Sequence, residues 1–218
     1  MSKKNPYSTT PNSQNANKLL KKALDSKDPY RIGIALHTFA DTWSHQNFTG
    51  MQEDWNAVYP WYDFVKNLAP HIGHANAGHS PDVISETWTD HRLARADRQM
   101  VNGVRALDAV QKIYESLSQF TAKGPKWSNV ANIYSGSIIN ADDFNSRIGA
   151  IATLVKNSCN NESVPAYDSN TWINDALQKN GLKVEFKDEN TLKYTHWYKF
   201  NQAAKEQLAV VADLIKDL

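Results

Sequence analysis

The stretch that decides the fold of the N-terminal half is Ile34-Ala35-Leu36-His37-Thr38-Phe39-Ala40-Asp41-Thr42-Trp43-Ser44-His45-Gln46. Within it, His37, Asp41 and His45 are spaced four residues apart. On an α-helix this spacing places the three side chains on one face, with about 5.4 Å between successive turns. Phe39 and Trp43 fall beside this line and can contact an apolar core. The stretch therefore predicts a helix that carries two imidazoles and a carboxylate in one row.

Length and composition restrict the class of protein. The chain has 218 residues, of which 41% are hydrophobic and 22% charged, as in ordinary soluble globular proteins. Its formal net charge of +1 gives no strong nucleic-acid signal. The single cysteine, Cys159, excludes a disulfide within the chain and is expected to be buried. No apolar run reaches the ~20 residues that span a membrane and no signal peptide is recognisable, so we expect a cytoplasmic protein.

The spacing of apolar residues predicts a mainly helical chain. Helices are expected over residues 13–26, 29–46, 90–119, 142–157, 169–180 and 195–218, with a short helix within 54–68 and a polar connector at 121–140. Polar and apolar residues alternate from position 183 as in a strand, which predicts a small hairpin over residues 183–194. No internal repeat or long linker is present. We therefore expect an all-α, single-domain multi-helix bundle over residues 13–218 with at most one hairpin, after a flexible arm at 1–12.

The histidines are clustered, since six of the seven lie between residues 37 and 91. Three of them fall in a loop over residues 70–82 that is rich in glycine and proline, and such a loop can fold over a helix. Neutral imidazole and carboxylate both suit zinc and related ions. The sequence therefore predicts a divalent metal site, with zinc as the first choice and manganese or iron as alternatives. Its predicted ligands are His37, Asp41, His45, His74 and His79, and the candidate general bases are Asp82 and Asp90.

The same histidines and aspartates also allow a simpler interpretation than a metal site. A histidine and an aspartate one turn apart are often a surface pair, and a buried polar network can use the same residues. The aromatic residues at 55–64 can wall a ligand pocket but more simply fill a core. The arginines at positions 92, 95 and 98 can bind phosphate, although a solvated helix face is the simpler interpretation.

The residues quoted above resemble the signature of an uncharacterised bacterial family of His-rich, all-helical proteins. Pro70-His71-Ile72-Gly73-His74, Pro81-Asp82 and Trp88 add to this resemblance, which covers residues 7–118. More distantly, His37-x-x-x-Asp41 is similar to the ligand helix of the zinc-dependent phospholipase C and single-strand nuclease superfamily. That likeness implies an all-α enzyme in which His37, Asp41 and His45 bind zinc. The sequence departs from the superfamily because its start has no histidine and it contains no His-x-x-x-Glu.

Two functions are consistent with these residues. The first is a metal-dependent hydrolase of the phosphoesterase type, in which a metal-bound hydroxide attacks a small-molecule phosphoester. The alternative is a non-catalytic helical interaction protein in which the His/Asp cluster is a structural metal site or a buried polar network. An open coordination position in a cleft favours the enzyme, whereas a closed, buried site favours the structural role.

Overall fold

The computed structural model describes residues 5–122, 124–139, 144–158 and 168–216. The predicted helical class is confirmed, because the chain is mostly helical. The helices are α1 (Gln14–Ser26), α2 (Pro29–Ser44), α3 (Asn102–Thr121), α4 (Trp127–Ile138), α5 (Phe144–Ser158), α6 (Ser169–Asn174), α7 (Glu189–Leu192) and α8 (His196–Leu214). Two small antiparallel sheets accompany them. They pair β1 (Thr87–Thr89) with β2 (Gln99–Val101), and β3 (Leu177–Asn180) with β4 (Lys183–Phe186).

Contacts group the described chain into two compact units. One comprises the chain up to Ala16 together with Thr38–Leu154, and the other comprises Asn17–His37 together with the chain from Val155 onward. The expectation of a single domain over residues 13–218 stays a prediction. In the first unit, Thr9 pairs through its backbone with Asn47 and Phe48. The flexibility expected for residues 1–12 also stays a prediction.

The first two helices begin where the sequence indicates. The Ser13 hydroxyl accepts a hydrogen bond from the Ala16 N–H at the start of α1. The Asp28 carboxylate accepts from the Tyr30 N–H at 2.8 Å, and Pro29 occupies the first helical position of α2. Phe39 and Trp43 are buried, as the apolar face of α2 requires. None of the described helices has the length and apolar character needed to cross a membrane.

Other boundaries differ from the predictions. The long helix predicted from residue 90 begins only at Asn102, because residues 87–101 form the β1–β2 hairpin and its turn. The connector predicted at 121–140 contains α4, which packs Trp127 and Tyr134 with their rings 5.6 Å apart. Over residues 54–68 only 3₁₀ turns form, at Asp54–Asn56 and Lys66–Leu68. Of these three regions, the first owes its conformation to pairing between strands, which apolar spacing along the chain does not reveal.

The remaining predictions concern the C-terminal part. The helix expected to reach residue 180 ends at Asn174, because residues 177–180 pair with β4. The hairpin expected near 183–194 forms earlier, and residues 189–192 are the helix α7 instead. Cys159, which was expected to be buried, lies outside the described residues.

The first unit contains a small core beneath its loops. Phe48, Val58 and Ala77 are buried there, and Tyr59 and Trp88 pack against them. The aromatic residues at 55–64 contribute less to this core than expected, because Trp61, Tyr62 and Phe64 are exposed. The core therefore depends on residues from loops, and these loops carry the side chains described next.

Candidate metal centre

Three side chains of ligand type converge just after α2. Nε2 of His45 lies 3.3 Å from Oδ1 of Asp82, and Nε2 of His74 lies 3.7 Å from Oδ2 of Asp82. The two imidazole rings stack with their centroids 4.6 Å apart. One ligand atom from each residue lies within 4.8 Å of the other two. Among the described residues, this is the group of three or more that could hold a metal ion.

The group is open to solvent. The side chains of His45, His74 and Asp82 are 33%, 31% and 42% exposed. A site with three protein ligands on an accessible surface leaves a coordination position for water or substrate. The geometry is therefore that of an accessible site and differs from a closed structural one.

His45 takes its place from the end of α2. It is the first residue after the helix, and its N–H still donates to the Asp41 carbonyl at 2.9 Å. Two residues on, Asn47 has a left-handed backbone with φ of +69°. Asparagine tolerates this conformation better than most residues. The turn directs Phe48 into the core while His45 stays at the surface.

His74 is oriented by the turn that follows it. Its Nδ1 lies 3.1 Å from the Gly78 carbonyl, which can only accept, so Nδ1 donates the proton. In the neutral ring this leaves the lone pair on Nε2, the atom that faces Asp82. Gly78 has φ of +62° and ψ of −135°, a conformation that favours glycine. Buried Asn76 holds the same turn, since it accepts from the Val58 N–H and donates to the Lys66 carbonyl.

Asp82 lies in a loop whose backbone is fixed by hydrogen bonds from the Asn102 side chain. The buried Asn102 amide donates to the Ser80 carbonyl at 2.5 Å and to the Val83 carbonyl at 2.8 Å. Its oxygen accepts from Trp88 Nε1 at 3.1 Å and from the Arg105 guanidinium at 2.9 Å. Two of these bonds hold the backbone on either side of Asp82, and the other two join Trp88 on β1 and Arg105 on α3 to the same amide.

Arg105 connects this loop to the end of α2. Its guanidinium donates to the carbonyls of Trp43 and Ser44, the two residues before His45. Burial lowers the pKa of Arg105 to about 10, although the charges of Asp90 and Asp82 act in the opposite direction. Its Nε is buried without a hydrogen-bond partner among the described residues. Asn102 and Arg105 together therefore brace two of the three candidate ligands.

The structure brings together three of the residues singled out from the sequence, namely His45, His74 and Asp82. It does not bring His37, Asp41 or His79 into this group. The reason for the first two is that α2 ends at Ser44, so the turn and not the helical row sets the direction of His45. His79 is exposed on the same loop as His74. Asp82 faces both imidazoles and is therefore the third member of this candidate group.

Asp90 has different surroundings. It is completely buried, and both of its oxygens bind the Arg92 guanidinium, at 2.8 and 2.7 Å. Arg92 in turn donates to the carbonyls of Asn47 and Trp55. The role of Asp90 as general base stays a prediction, and these contacts favour a structural role for the pair. Sequence reasoning did not identify Asn76, Asn102 or Arg105, because a single buried amide or guanidinium has no periodic signature.

The comparisons with known proteins give a family without an assigned activity. No curated protein and no solved structure matches the chain. A family model matches residues 2–215, and it is described as a family of unknown function. This agrees with the resemblance to an uncharacterised family. Since the match covers nearly the whole sequence, the chain belongs to the family of unknown function DUF6765.

Proposed function

We propose that this protein is a metal-dependent hydrolase of phosphoester bonds whose divalent ion is held by His45, His74 and Asp82. The observation that carries the proposal is the convergence of the three ligand atoms within 4.8 Å at a solvent-accessible position. Two imidazoles and one carboxylate are a donor set used by catalytic zinc, and iron(II) or manganese can use it too. Zinc is the first choice because the group contains two neutral imidazoles.

The chemistry follows from the donor set. Catalytic zinc sites combine three protein ligands with a water molecule, and an ion bound in this way lowers the pKa of that water to about 7. A carboxylate and two neutral imidazoles leave a divalent ion with a net charge of +1. Such a centre attracts the negative charge that develops on a phosphoryl oxygen. We assign Asp82 to the ion and not to the role of general base.

Arg105 supports an anionic substrate. Its guanidinium binds neutral oxygens, and no carboxylate pairs directly with it in the described part of the chain. Asp82 is close enough for its charge to raise the pKa of Arg105. When Asp82 binds a divalent ion, the ion offsets the negative charge of the carboxylate. The electrostatic potential around Arg105 then becomes more positive.

The structural alternative requires a different arrangement. Structural zinc is held by four protein ligands in a closed, tetrahedral site. The group found here has three ligands, and each of their side chains is about one-third exposed or more. This difference supports the catalytic proposal.

Hydrolysis of p-nitrophenyl phosphate and bis-(p-nitrophenyl) phosphate by protein loaded with zinc, manganese or iron(II) tests the proposal. We expect turnover by the wild type and a loss of at least about 100-fold in His74→Ala, because one of three ligands is removed. His79→Ala is the matched control, since it removes an exposed imidazole from the same loop. Metal-loaded protein without turnover on either ester, or an equal loss in the control, would contradict the proposal.

A further inference from the structure

A cavity of about 230 Å³ adjoins the metal centre and shares Asp82 with it. The end of α2, residues 81–84 and the first half of α3 form its walls. Most of the wall is apolar and includes the side chains of Trp43, Ile84, Ala109 and Ile113. The cavity therefore offers an apolar space that begins at one of the three candidate ligands.

Charge is confined to one part of the lining. Asp82 and Arg105 are the charged residues among those that line the cavity. The Arg105 guanidinium contacts neutral oxygens, whereas Asp82 faces the two imidazoles. An apolar space with a cation beside a metal group matches an anion that carries an apolar substituent. The only amide in the lining, that of Asn102, already has four hydrogen bonds and is not available to a polar ligand.

The volume restricts the substituent. A 150 Å³ cavity lined by apolar side chains binds benzene, whereas sites for drug-sized ligands start at about 300 Å³. The cavity beside Asp82 lies between these limits. It fits one aromatic ring or a short alkyl chain. A sugar or a nucleoside would place several polar groups against the apolar wall, which costs free energy without compensating hydrogen bonds.

We infer that this cavity selects the substrate of the metal centre: a small phosphoester whose apolar group, one aromatic ring or a short alkyl chain, occupies the space between α2 and α3. Its phosphoryl group then lies beside His45, His74 and Asp82. The inference rests on the proposed function for the placement of the phosphoryl group. The selection for an apolar substituent depends on the cavity alone, so it can be measured with or without metal.

Isothermal titration calorimetry with phenylphosphonate and methylphosphonate, on both the zinc-loaded and the metal-free protein, tests the inference. We expect phenylphosphonate to bind about tenfold or more tightly than methylphosphonate, because its ring leaves water for the cavity. Ala109→Phe fills the space and should remove this preference while methylphosphonate binding stays unchanged. Val104→Phe is the control, because it adds the same group on α3 at a side chain that is 62% exposed.

A second variant keeps the test decisive if Ala109→Phe does not fold. Ile113→Ala enlarges the cavity and should increase the preference for 1-naphthylphosphonate over phenylphosphonate. Equal affinity of phenyl- and methylphosphonate in both forms, or no binding of either, overturns the inference. Zinc content measured on the same samples reports separately on the proposed function. A zinc-loading step that leaves no zinc on the protein, together with a retained preference for phenylphosphonate, would support the cavity and contradict the metal hydrolase.

Discussion

The irregular backbone of this protein is held in two different ways, one around the candidate metal centre and the other in the C-terminal part. Between residues 45 and 102, buried side chains bind main-chain groups of distant loops; these side chains are those of Asn56, Asn76, Arg92 and Asn102, and buried Asp90 holds the Arg92 guanidinium. Between residues 168 and 195, Asp168 and Asp188 cap the helices that immediately follow them. The first arrangement is long-range and buried, and the second is local and exposed.

The buried arrangement suits a site that needs fixed geometry. Asn56 is fully buried and bonds to Thr49, Met51 and His71, so one amide joins three points of the chain. Asn76 and Asn102 do the same beside His74 and Asp82. A buried donor or acceptor that loses its partner costs about 1–3 kcal/mol. Loops held in this way therefore have few alternative conformations, and ligands placed on them keep their distances.

The exposed arrangement repeats one short motif. Asp168-Ser-Asn-Thr171 forms the cap and first turn of α6, and Asp188-Glu-Asn-Thr191 forms those of α7. In each case the aspartate accepts from the N–H groups two and three residues on and from the threonine hydroxyl. These bonds define the start of one helix each and join no distant segments. Their loss should therefore stay local.

The largest expected effect is that of Asp90→Ala. It leaves the Arg92 guanidinium, whose side chain is only 7% exposed, without its carboxylate. Breaking a buried ion pair on one side costs about 4 kcal/mol. Urea unfolding should show this loss, whereas Asp63→Ala, which breaks the exposed pair with Lys66, should change stability by less than about 1 kcal/mol. Unchanged stability with lost hydrolysis in Asp90→Ala would instead support the prediction that Asp90 is a general base.

Asn102→Ala should have the next largest effect. It removes four hydrogen bonds and takes the Asn102 amide away from the Ser80 and Val83 carbonyls, of which Val83 keeps the Glu86 N–H, so we expect a loss of about 3 kcal/mol in urea unfolding. Because the loop then no longer fixes Asp82, zinc affinity should fall by about 10–100-fold in a competition titration with a chelator. Asn145→Ala, on the exposed side of α5, is the matched control and should change neither quantity. Normal zinc affinity in a destabilised Asn102→Ala protein would contradict the bracing role.

The smallest expected effect concerns the exposed caps. The Thr191 hydroxyl and nearby N–H groups hold the pKa of Asp188 below its ordinary value. The native pKa is lower than the unfolded one, so the cap stabilises α7 above the unfolded pKa and is lost as pH falls through the native pKa. Thr191→Val should raise the pKa of Asp188 toward the ordinary value, as measured by carboxyl NMR titration. Asp168, whose pKa Thr171 lowers in the same way, is the internal control and should not move. An unchanged titration of Asp188 would contradict this account.

The same contrast explains what could be predicted from the sequence. Caps and apolar spacing are local signals, and they correctly predicted α1 and α2 through Ser13, Asp28 and Pro29. The three residues of the candidate group were also among the residues singled out from the sequence, His45 and His74 as ligands and Asp82 as a general base, because clustered histidines are visible in a sequence. The grouping of His45 with His74 and Asp82, and not with His37 and Asp41, was not predictable. It depends on where α2 ends and on the loops that Asn76 and Asn102 hold, and these long-range bonds leave no local pattern.

Zinc stoichiometry of wild type, His74→Ala and His37→Ala tests the central claim most directly. Each protein would be loaded with zinc, desalted and measured by plasma mass spectrometry, with helicity checked by circular dichroism. We predict about one zinc ion per chain in the wild type and in His37→Ala, and none retained in His74→Ala. Zinc that is lost in His37→Ala but kept in His74→Ala, or a wild type that retains none, would contradict a centre built from His45, His74 and Asp82.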